Sequence, residues 1–580
     1  MLWMSTALLF AAAPQRIFLN RTYSAYGASL FVANADGSGE RALLPPGTLD
    51  YNPTWSRDGR WIAFTSERNG SADLYRVKPN GTGVDRLTDD PAYDDQPAFS
   101  PDGSQIVFVS TRADGHANLW ILDVATLKAR PLTSGPGGDF RPAWSPDGTS
   151  IAFSSDRGGP MRMGKGRWEA LHLVDVYVVH PDGSGLKRIT EHRDSCGSPK
   201  WSADSRHVIA YCMAAEDTLP NRIPSRATGE TGLVSIDATT GAASPIASGP
   251  GVKISPAWLP SAEVAYVRKD KTARGVFYGA GRSGPAGAVG SPSWSPDGAR
   301  VVYQKSLPGQ LQYWEKTWSR DSNFELVLTA SMPAFHPSGE RFVTSPGGPF
   351  DAALEIIETS SKSGRVAFRG EGKGAMGAQW SPDGGSLFFG LGTFFLRAGG
   401  AQIATINSDG SGLRQLTTGA NNNGFPSPSP DGNLIVYRTT GPEGQGLRIL
   451  NMKNGEIATL TTGYDTFPGW SPRGDIIAFT RQIDGDFEIF SIRPDGKDLR
   501  RLTNSPGNDS HGGFSPDGER IVFTSARMGF KDEAMYSDTP QPYGEIFVMR
   551  YDGTQVHQLT DNQWEDGTPA WQPVKPLRAR

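Results

Sequence analysis

Acidic residues, with a few basic ones, precede each copy of a repeated Pro-Ala-Trp-like sequence, and they are the best candidates for chemistry. His511 and Asp509 form a candidate acid–base pair, because an imidazole beside a carboxyl group can act as a general base. Asp509 and Asp566 could provide the two carboxyl groups that a glycoside hydrolase places around the scissile bond. Further candidate ligand-binding residues at these positions are Asp139, Arg141, Arg193, Asp194, Asp465 and Glu565. The alternative is structural, with each carboxyl group accepting hydrogen bonds from turn backbone.

Two long insertions add basic and aromatic side chains of the kind that bind acidic sugars. The insertions and these residues are 158–174, with Arg162, Arg167 and Trp168, and 526–544, with Arg527, Lys531, Tyr536 and Tyr543. A polysaccharide lyase needs a base, which His511 or Tyr543 could supply. It also needs a cation to neutralise the uronate, which Arg527 or Arg193 could supply. The alternative is that these insertions pack rings or neighbouring sheets against one another.

The sequence lacks the motifs that are typical of several classes of enzyme and metal site. There is no G-x-S-x-G nucleophile motif, and no strand–helix alternation follows the repeats to hold one. The eight histidines never occur at close ligand spacing, and no D-x-D-x-D-G calcium loop is present. We therefore predict no serine peptidase, no metal site and no cofactor.

The candidate residues are positioned by a repeated β-hairpin, of which Arg141–Arg157 (RPAWSPDGTSIAFSSDR) is an example. Ser-Pro-Asp-Gly supplies the turn between two short apolar strands. A second strand pair follows, so each unit has four strands. The aromatic position of the hairpin recurs at Trp55, Phe99, Trp144, Trp201, Trp258, Trp294, Phe335, Trp380, Pro428, Trp470, Phe514 and Trp571. A mean spacing of about 47 residues with four strands per unit predicts an all-β fold, a β-propeller, with about 40% strand and almost no helix.

Twelve units exceed the usual size of one propeller. The N-terminal residues resemble a unit that lacks its first strand, and the C-terminal residues resemble a first strand alone. These fragments would complete one sheet and remove a free edge. We predict two tandem six-bladed propellers, residues 16–298 and 299–580, with a single twelve-bladed ring as the alternative.

The repeats at Asn52–Thr88 (NPTWSRDGRWIAFTSERNGSADLYRVKPNGTGVDRLT) and Phe467–Thr503 resemble the WD40-like PD40 repeats of the TolB family. Similar repeats form the propeller that precedes the hydrolase of dipeptidyl-peptidase-like proteins. The resemblance implies a non-catalytic propeller that binds a protein or a cell-envelope partner, including an envelope glycan. The alternative is a carbohydrate-active enzyme, a polysaccharide lyase or glycoside hydrolase, acting on an acidic polysaccharide.

Features at the N-terminus and the two cysteines indicate export. Residues 1–15 contain a short apolar run and an alanine stretch typical of a signal peptide. Cys196 and Cys212 fall opposite one another about a hairpin turn, which predicts a disulfide, although two reduced buried cysteines remain an alternative. The net charge of −4 does not suggest nucleic-acid binding, and no apolar run has the length of a membrane span. We expect a periplasmic or secreted monomer.

Overall fold

Four-stranded β-sheets make up most of the chain, as the repeats predict. The computed structural model describes residues 14–22, 29–157, 159, 162–163, 170–171, 173–191, 193–222, 227–279, 281–305, 315–346, 353–370, 374–393, 400–536 and 544–573. The structure is 52% strand and 2% helix, so strand exceeds the expected 40%. The fold is a β-propeller architecture, with the innermost strand of each sheet facing a central channel.

Six of the sheets form what we call the first ring. Its strands, from the innermost outward in each sheet, are β4 (Asp50–Trp55), β5 (Ile62–Asn69), β6 (Ser71–Val77) and β7 (Asp85–Arg86); β8 (Asp94–Phe99), β9 (Gln105–Ser110), β10 (Asn118–Asp123) and β11 (Ala129–Pro131); β12 (Asp139–Trp144), β13 (Ile151–Ser155), β16 (Asp175–Val179) and β17 (Lys187–Arg188); β18 (Asp194–Trp201), β19 (His207–Ala214), β20 (Gly232–Asp237) and β21 (Ala243–Ala247); β22 (Lys253–Trp258), β23 (Val264–Lys269), β24 (Arg274–Tyr278) and β25 (Ser283–Ala286); and β26 (Val289–Trp294), β27 (Arg300–Lys305), β2 (Ser29–Asn34) and β3 (Arg41–Ala42).

The other six sheets form the second ring. Its strands, in the same order, are β30 (Ser331–Phe335), β31 (Arg341–Ser345), β32 (Ala353–Glu358) and β33 (Gly364–Arg369); β34 (Gly374–Trp380), β35 (Ser386–Gly392), β36 (Ala401–Asn407) and β37 (Arg414–Gln415); β38 (Asn422–Pro428), β39 (Leu434–Thr440), β40 (Gly446–Asn451) and β41 (Ile457–Thr459); β42 (Asp465–Trp470), β43 (Ile477–Ile483), β44 (Asp486–Ile492) and β45 (Arg500–Arg501); β46 (Asp509–Phe514), β47 (Arg520–Ser525), β48 (Glu545–Arg550) and β49 (His557–Gln558); and β50 (Glu565–Trp571), β1 (Gln15–Thr22), β29 (Phe324–Thr329) and β28 (Lys316–Thr317).

The innermost strands contact one another in two separate closed cycles. In the first ring the order is β4, β8, β12, β18, β22, β26 and back to β4. In the second ring it is β30, β34, β38, β42, β46, β50 and back to β30. We interpret these cycles as two six-bladed propellers, because a single ring of twelve sheets would have one cycle.

The strand pairing corrects the predicted boundaries of the two rings. The boundary at residue 298 falls between β26 and β27, which are neighbours in one sheet. The N-terminal strand β1, expected in the first ring, instead pairs with β50 and β29 of the second ring. It runs parallel to β29, whereas the other strand pairs in the described residues are antiparallel. Strand β1 therefore belongs to the second ring, β2 and β3 complete the last sheet of the first ring, and the repeats from β4 onward then follow in order.

Each innermost strand contains one residue with a left-handed backbone, at an irregularity in its pairing. These residues have φ of 40–64° and are Asn52, Gln96, Arg141, Ser198, Ser255 and Ser291 in the first ring, and Met332, Gly377, Phe425, Phe467, His511 and Thr568 in the second. Such a bulge turns a side chain out of the regular alternation. It costs about 1 kcal/mol for a residue other than glycine. The six residues of the first ring all line its central cavity.

Hydrogen bonds within the repeated turn explain the Ser-Pro-Asp-Gly sequence. The hydroxyl of Ser145 donates to Asp147 Oδ1 at 2.6 Å and accepts the N–H of Ser150 at 2.9 Å. Gly148 has φ of 75°, which a residue with a side chain rarely adopts. The repeated turn residues are thus required by the hairpin and are not evidence of a binding site.

The hydrophobic core consists of clusters between neighbouring sheets. In one of them, Val107 and Leu119 of one sheet pack with Phe140 and Phe153 of the next. Each cluster buries the apolar side of one sheet against its neighbour, so the rings are held together blade by blade.

A few elements lie outside the twelve sheets. They are the hairpin β14 (Arg162–Met163) and β15 (Ala170–Leu171), the α-helix α1 (Ala215–Asn221) and a 3₁₀ helix (Ala534–Tyr536). Among the described residues, no helix has the length and apolar character to cross a membrane. Cys196 and Cys212 are directly opposite in β18 and β19 and are joined by a disulfide, as the hairpin register predicts.

Candidate functional site

The predicted acid Asp509 belongs to a buried ion pair within its own sheet. Its side chain is fully buried, and it accepts hydrogen bonds from the Ser525 hydroxyl at 2.5 Å and from Arg527 Nη2 at 2.7 Å. The guanidinium of Arg527 stacks 4.9 Å from the centre of the Phe547 ring. Burial raises the pKa of Asp509 to about 6. Asp509 and Arg527, both predicted as catalytic candidates, are therefore paired with each other within their sheet.

The same Asp–Ser–Arg unit recurs in other sheets. In the first ring, Asp139 pairs with Arg157 and accepts the hydroxyl of Ser155 at 2.6 Å. The other units are Asp50 with Ser66 and Arg68, and Asp94 with Ser110 and Arg112. A sequence signal could have identified them, because each second strand ends in Ser-x-Arg at a fixed distance from the aspartate. Asp139, predicted as a ligand-binding residue, thus has both its contacts within its own sheet in this unit.

Two other predicted carboxyl groups are also held by arginines. Asp465 is buried and accepts two hydrogen bonds from Arg481, at 2.7 and 2.8 Å. Asp566 is fully buried and accepts two from Arg21 of β1, at 2.6 and 2.8 Å. Asp566 therefore links β50 to β1, the strand that completes its sheet.

The remaining predicted residues are dispersed. Arg193 and Asp194 are exposed, with Arg193 contacting Glu191 at 3.0 Å, and Glu565 is half-buried. Arg162 lies in β14, but the structure describes only its backbone. Arg167, Trp168 and Tyr543 lie outside the described residues. The described residues contain no group of three or more side chains placed to hold a metal ion.

His511 lies in an apolar row across the second ring. Its imidazole is 4.1 Å from the centre of the Phe467 ring, which is 4.4 Å from that of Phe425. Its Nδ1 is 3.2 Å from the hydroxyl oxygen of Thr524. Burial lowers the pKa of His511 to about 3, so the imidazole is neutral at physiological pH. The row joins three innermost strands, β38, β42 and β46, at the channel.

The insertion that begins at Ala526 reaches into the first ring, which sequence reasoning considered only as an alternative. The carboxylate of Glu533 is fully buried and accepts hydrogen bonds from Ser154 Oγ at 2.5 Å and Ser198 N at 2.6 Å. The Tyr211 hydroxyl donates to it at 2.8 Å. The Tyr536 hydroxyl lies 2.7 Å from Ser198 Oγ. We call residues 530–536 the inserted segment.

Lysine side chains hold the inserted segment at both ends. The Lys531 ammonium contacts Glu545 and lies 2.5 Å from Asp561 Oδ1, both in the second ring. Lys269 of the first ring donates to the carbonyl of Met535 at 2.5 Å. The contacts of Lys531 and Tyr536 thus join the two rings. They differ from the predicted arrangement, in which the insertion folds over one face of a ring and binds a ligand there.

Arg141 closes one end of the first-ring channel. Its guanidinium bonds to Asp532 of the inserted segment and, from the opposite side of the cycle, to Ser291 Oγ at 2.7 Å. The Tyr536 ring stacks 3.4 Å below it. This end of the channel is therefore sealed by residues of both rings.

The other end of the channel remains a cavity of about 590 Å³. Its wall is formed by proline and aromatic residues of all six innermost strands. The turn residues Arg57, Ala203, Pro260 and Pro296 line the outer end and are exposed, so the cavity opens toward solvent there. The volume falls within the range of small-molecule sites. The cavity is the best candidate functional site in the described part of the chain.

Lys200 is the lining residue that sequence reasoning missed. It occupies the position held by Ala98, Ala143 and Ala257 in neighbouring sheets, just before the aromatic residue. Burial, with the nearby charge of Arg141, lowers the pKa of Lys200 to about 8. The signal was present in the repeats, since Ser-Pro-Lys-Trp replaces a small residue by a charged one.

A family model for the TolB β-propeller domain (PD40) matches residues 90–216, 286–480 and 447–537, together more than half of the chain. The chain belongs to the TolB β-propeller (PD40) family. It is 38% identical over 231 residues to an uncharacterized protein of Agrobacterium fabrum, a match covering 40% of the chain and 72% of that relative. It is 37% identical over 134 residues to a protein TolB homolog of Chlorobium luteolum, covering 23% of the chain and only 30% of the homolog.

Solved structures of TolB proteins are also similar to this TolB-family chain. TolB from Acinetobacter baumannii is 15% identical, with 72% of the chain and 82% of that structure covered and a TM-score of 0.33. A putative TolB from Agrobacterium tumefaciens is 20% identical, with 42% and 90% covered and a TM-score of 0.34.

A half-buried glutamate between the rings of this TolB-family protein should make its stability depend on pH. Glu67 of the first ring accepts hydrogen bonds from Trp564 Nε1 of the second ring at 2.5 Å and from the Tyr51 hydroxyl at 3.2 Å. Burial raises the pKa of Glu67 to about 7 from an ordinary value of 4.5. Because the folded pKa is the higher one, this contribution is fully present below pH 4.5 and is lost as pH rises through 7.

Replacing Glu67 by glutamine should flatten that dependence. Between pH 4.5 and 7, the wild type should lose on the order of 1–3 kcal/mol of unfolding free energy more than Glu67→Gln. Urea unfolding across this pH range measures the difference, and the exposed Glu456→Gln is the control. Parallel pH profiles of the wild type and Glu67→Gln would contradict the prediction.

Proposed function

We propose that this protein is an exported, non-catalytic binding module, periplasmic or secreted, whose protein or cell-envelope partner enters the first-ring channel from the turn side. The main observation behind this proposal is the first-ring cavity of about 590 Å³. Arg141 and the inserted segment close one end of it, and exposed turn residues line the other. Membership of the TolB propeller family supports a binding role.

Three candidate residues of the enzymatic alternative have other contacts in the structure. Asp509 and Asp566 are each held by an arginine within a sheet, and His511 stacks on an aromatic side chain. The lining of the cavity contains no carboxyl group among the described residues. A general acid–base pair for cleaving an acidic polysaccharide is therefore not assembled at the cavity.

Site-specific photocrosslinking tests where the partner binds. Ala203 is exposed at the outer end of the cavity, whereas Lys128 is exposed on an outer hairpin of the same ring. A benzophenone amino acid at position 203, but not at position 128, should give a discrete adduct when the protein is exported by its native host. Equal labelling from the two positions, or no adduct from position 203, would contradict the proposal.

A further inference from the structure

The cavity of the first ring has an unbalanced charge. Among the described residues, its lining contains three cationic side chains, Arg57, Arg141 and Lys200, and no aspartate or glutamate. Two of these cations already have partners. Arg141 is paired with Asp532, and Arg57 donates to the carbonyl of Pro146 at 2.7 Å.

Lys200 is the remaining cation. Within the described residues, its ammonium makes neither a hydrogen bond nor an ion pair, although it is half-buried and lines the cavity. A half-buried ammonium has lost part of its hydration, and an anion that enters the cavity would supply it with a charged partner. Burial and the charge of Arg141 lower the pKa of Lys200 to about 8, the nearby Glu533 carboxylate acts in the opposite direction, and most of the side chain is still charged at neutral pH.

We propose that the first-ring cavity is a carboxylate-binding site in which Lys200 is the charged contact. The proposal deepens the proposed function and rests on it only in attributing the carboxylate to the partner. One uncommitted ammonium suits a monoanion, whereas phosphate sites gather several donors or an arginine fork. The proline and tryptophan wall would pack against the apolar body that carries the carboxylate.

The two sources of such a group are a small organic acid and the free end of a peptide. The C-terminal carboxylate of an extended chain is a recurrent recognition element. A volume of about 590 Å³ accommodates either source. The test therefore uses both.

Binding is measured directly with defined probes. The probes are acetate, N-acetyl-dialanine with a free carboxylate, its C-terminal amide and inorganic phosphate, each titrated at pH 6.5. Calorimetry and tryptophan fluorescence report binding, because five of the lining residues are tryptophans. We expect the free peptide to bind at least tenfold more tightly than its amide. Acetate binding as tightly as the peptide assigns the site to small acids, and a tighter peptide assigns it to chain ends.

Lys200→Ala is the decisive variant, because neighbouring sheets carry alanine at the same position. We expect it to weaken carboxylate binding at least tenfold, while Lys128→Ala, on the exposed outer hairpin, binds as the wild type does. Unfolding curves verify that both variants fold. Wild-type affinity should also fall as pH rises above about 8, since the ammonium then loses its proton.

Three results would overturn the inference: no wild-type binding of either carboxylate, unchanged affinity in Lys200→Ala, or tighter binding of phosphate than of carboxylate. These outcomes are distinct from failure of the proposed function. A protein that binds carboxylate but gives no adduct from position 203 would retain the anion site and lose the partner proposal.

Discussion

Replacing Glu533 by alanine is expected to destabilise the protein by about 3–5 kcal/mol, because buried donors of the first ring lose their acceptor. The carboxylate receives hydrogen bonds from Ser154, from the backbone and hydroxyl of Ser198, and from Tyr211. Alanine fills none of this space and accepts none of these bonds. Urea unfolding followed by circular dichroism measures the loss.

The same change should release the inserted segment. Limited proteolysis of Glu533→Ala should cut between residues 526 and 544 much faster than it cuts the wild type, because the segment would no longer be anchored in the first ring. Glu533→Gln, which keeps the volume and one acceptor, should show a smaller effect in both measurements. The exposed Glu456→Ala is the matched control. Stability and cleavage rates equal to those of the wild type would show that Glu533 does not hold the rings together.

The repeats predicted the sheets well because their residues act locally. Ser145, Asp147 and Gly148 form a turn by contacts within a few positions, and the alternating apolar residues define each strand. The pairing of Cys196 with Cys212 followed from the same hairpin register. A mean repeat length and two incomplete ends were sufficient to predict twelve units.

The features that the sequence did not predict depend on contacts between residues that are distant in the chain. Glu533 meets Ser154 across 379 positions, and no property of a Lys-Asp-Glu sequence in a long loop indicates which ring it enters. β1 joined the second ring by parallel pairing with β29, which a two-residue alternation cannot distinguish from antiparallel pairing. The predicted acids are ambiguous for a different reason. From the sequence alone, an aspartate before an innermost strand is as consistent with a catalytic acid as with a partner of the arginine in Ser-x-Arg.

Arg21→Ala tests which of these roles Asp566 has. The variant leaves the fully buried Asp566 without its two guanidinium hydrogen bonds, at a cost of about 3–5 kcal/mol. Arg16→Ala on the same strand is the matched control, because its ion pair with Glu325 is partly exposed and should contribute less than about 1 kcal/mol. Hydrogen exchange should show β1 losing protection in Arg21→Ala, since this strand completes the last sheet of the second ring.

The double variant Arg21→Ala/Asp566→Asn separates a structural pair from a catalytic acid. If Asp566 serves Arg21, removing its charge should restore part of the stability that Arg21→Ala loses, because no uncompensated charge then remains buried. If the two residues act independently, their effects on the unfolding free energy should add, and the double variant should be the least stable of the three. Additive losses, or a stable Arg21→Ala, would contradict the assignment of Asp566 to closing the second ring.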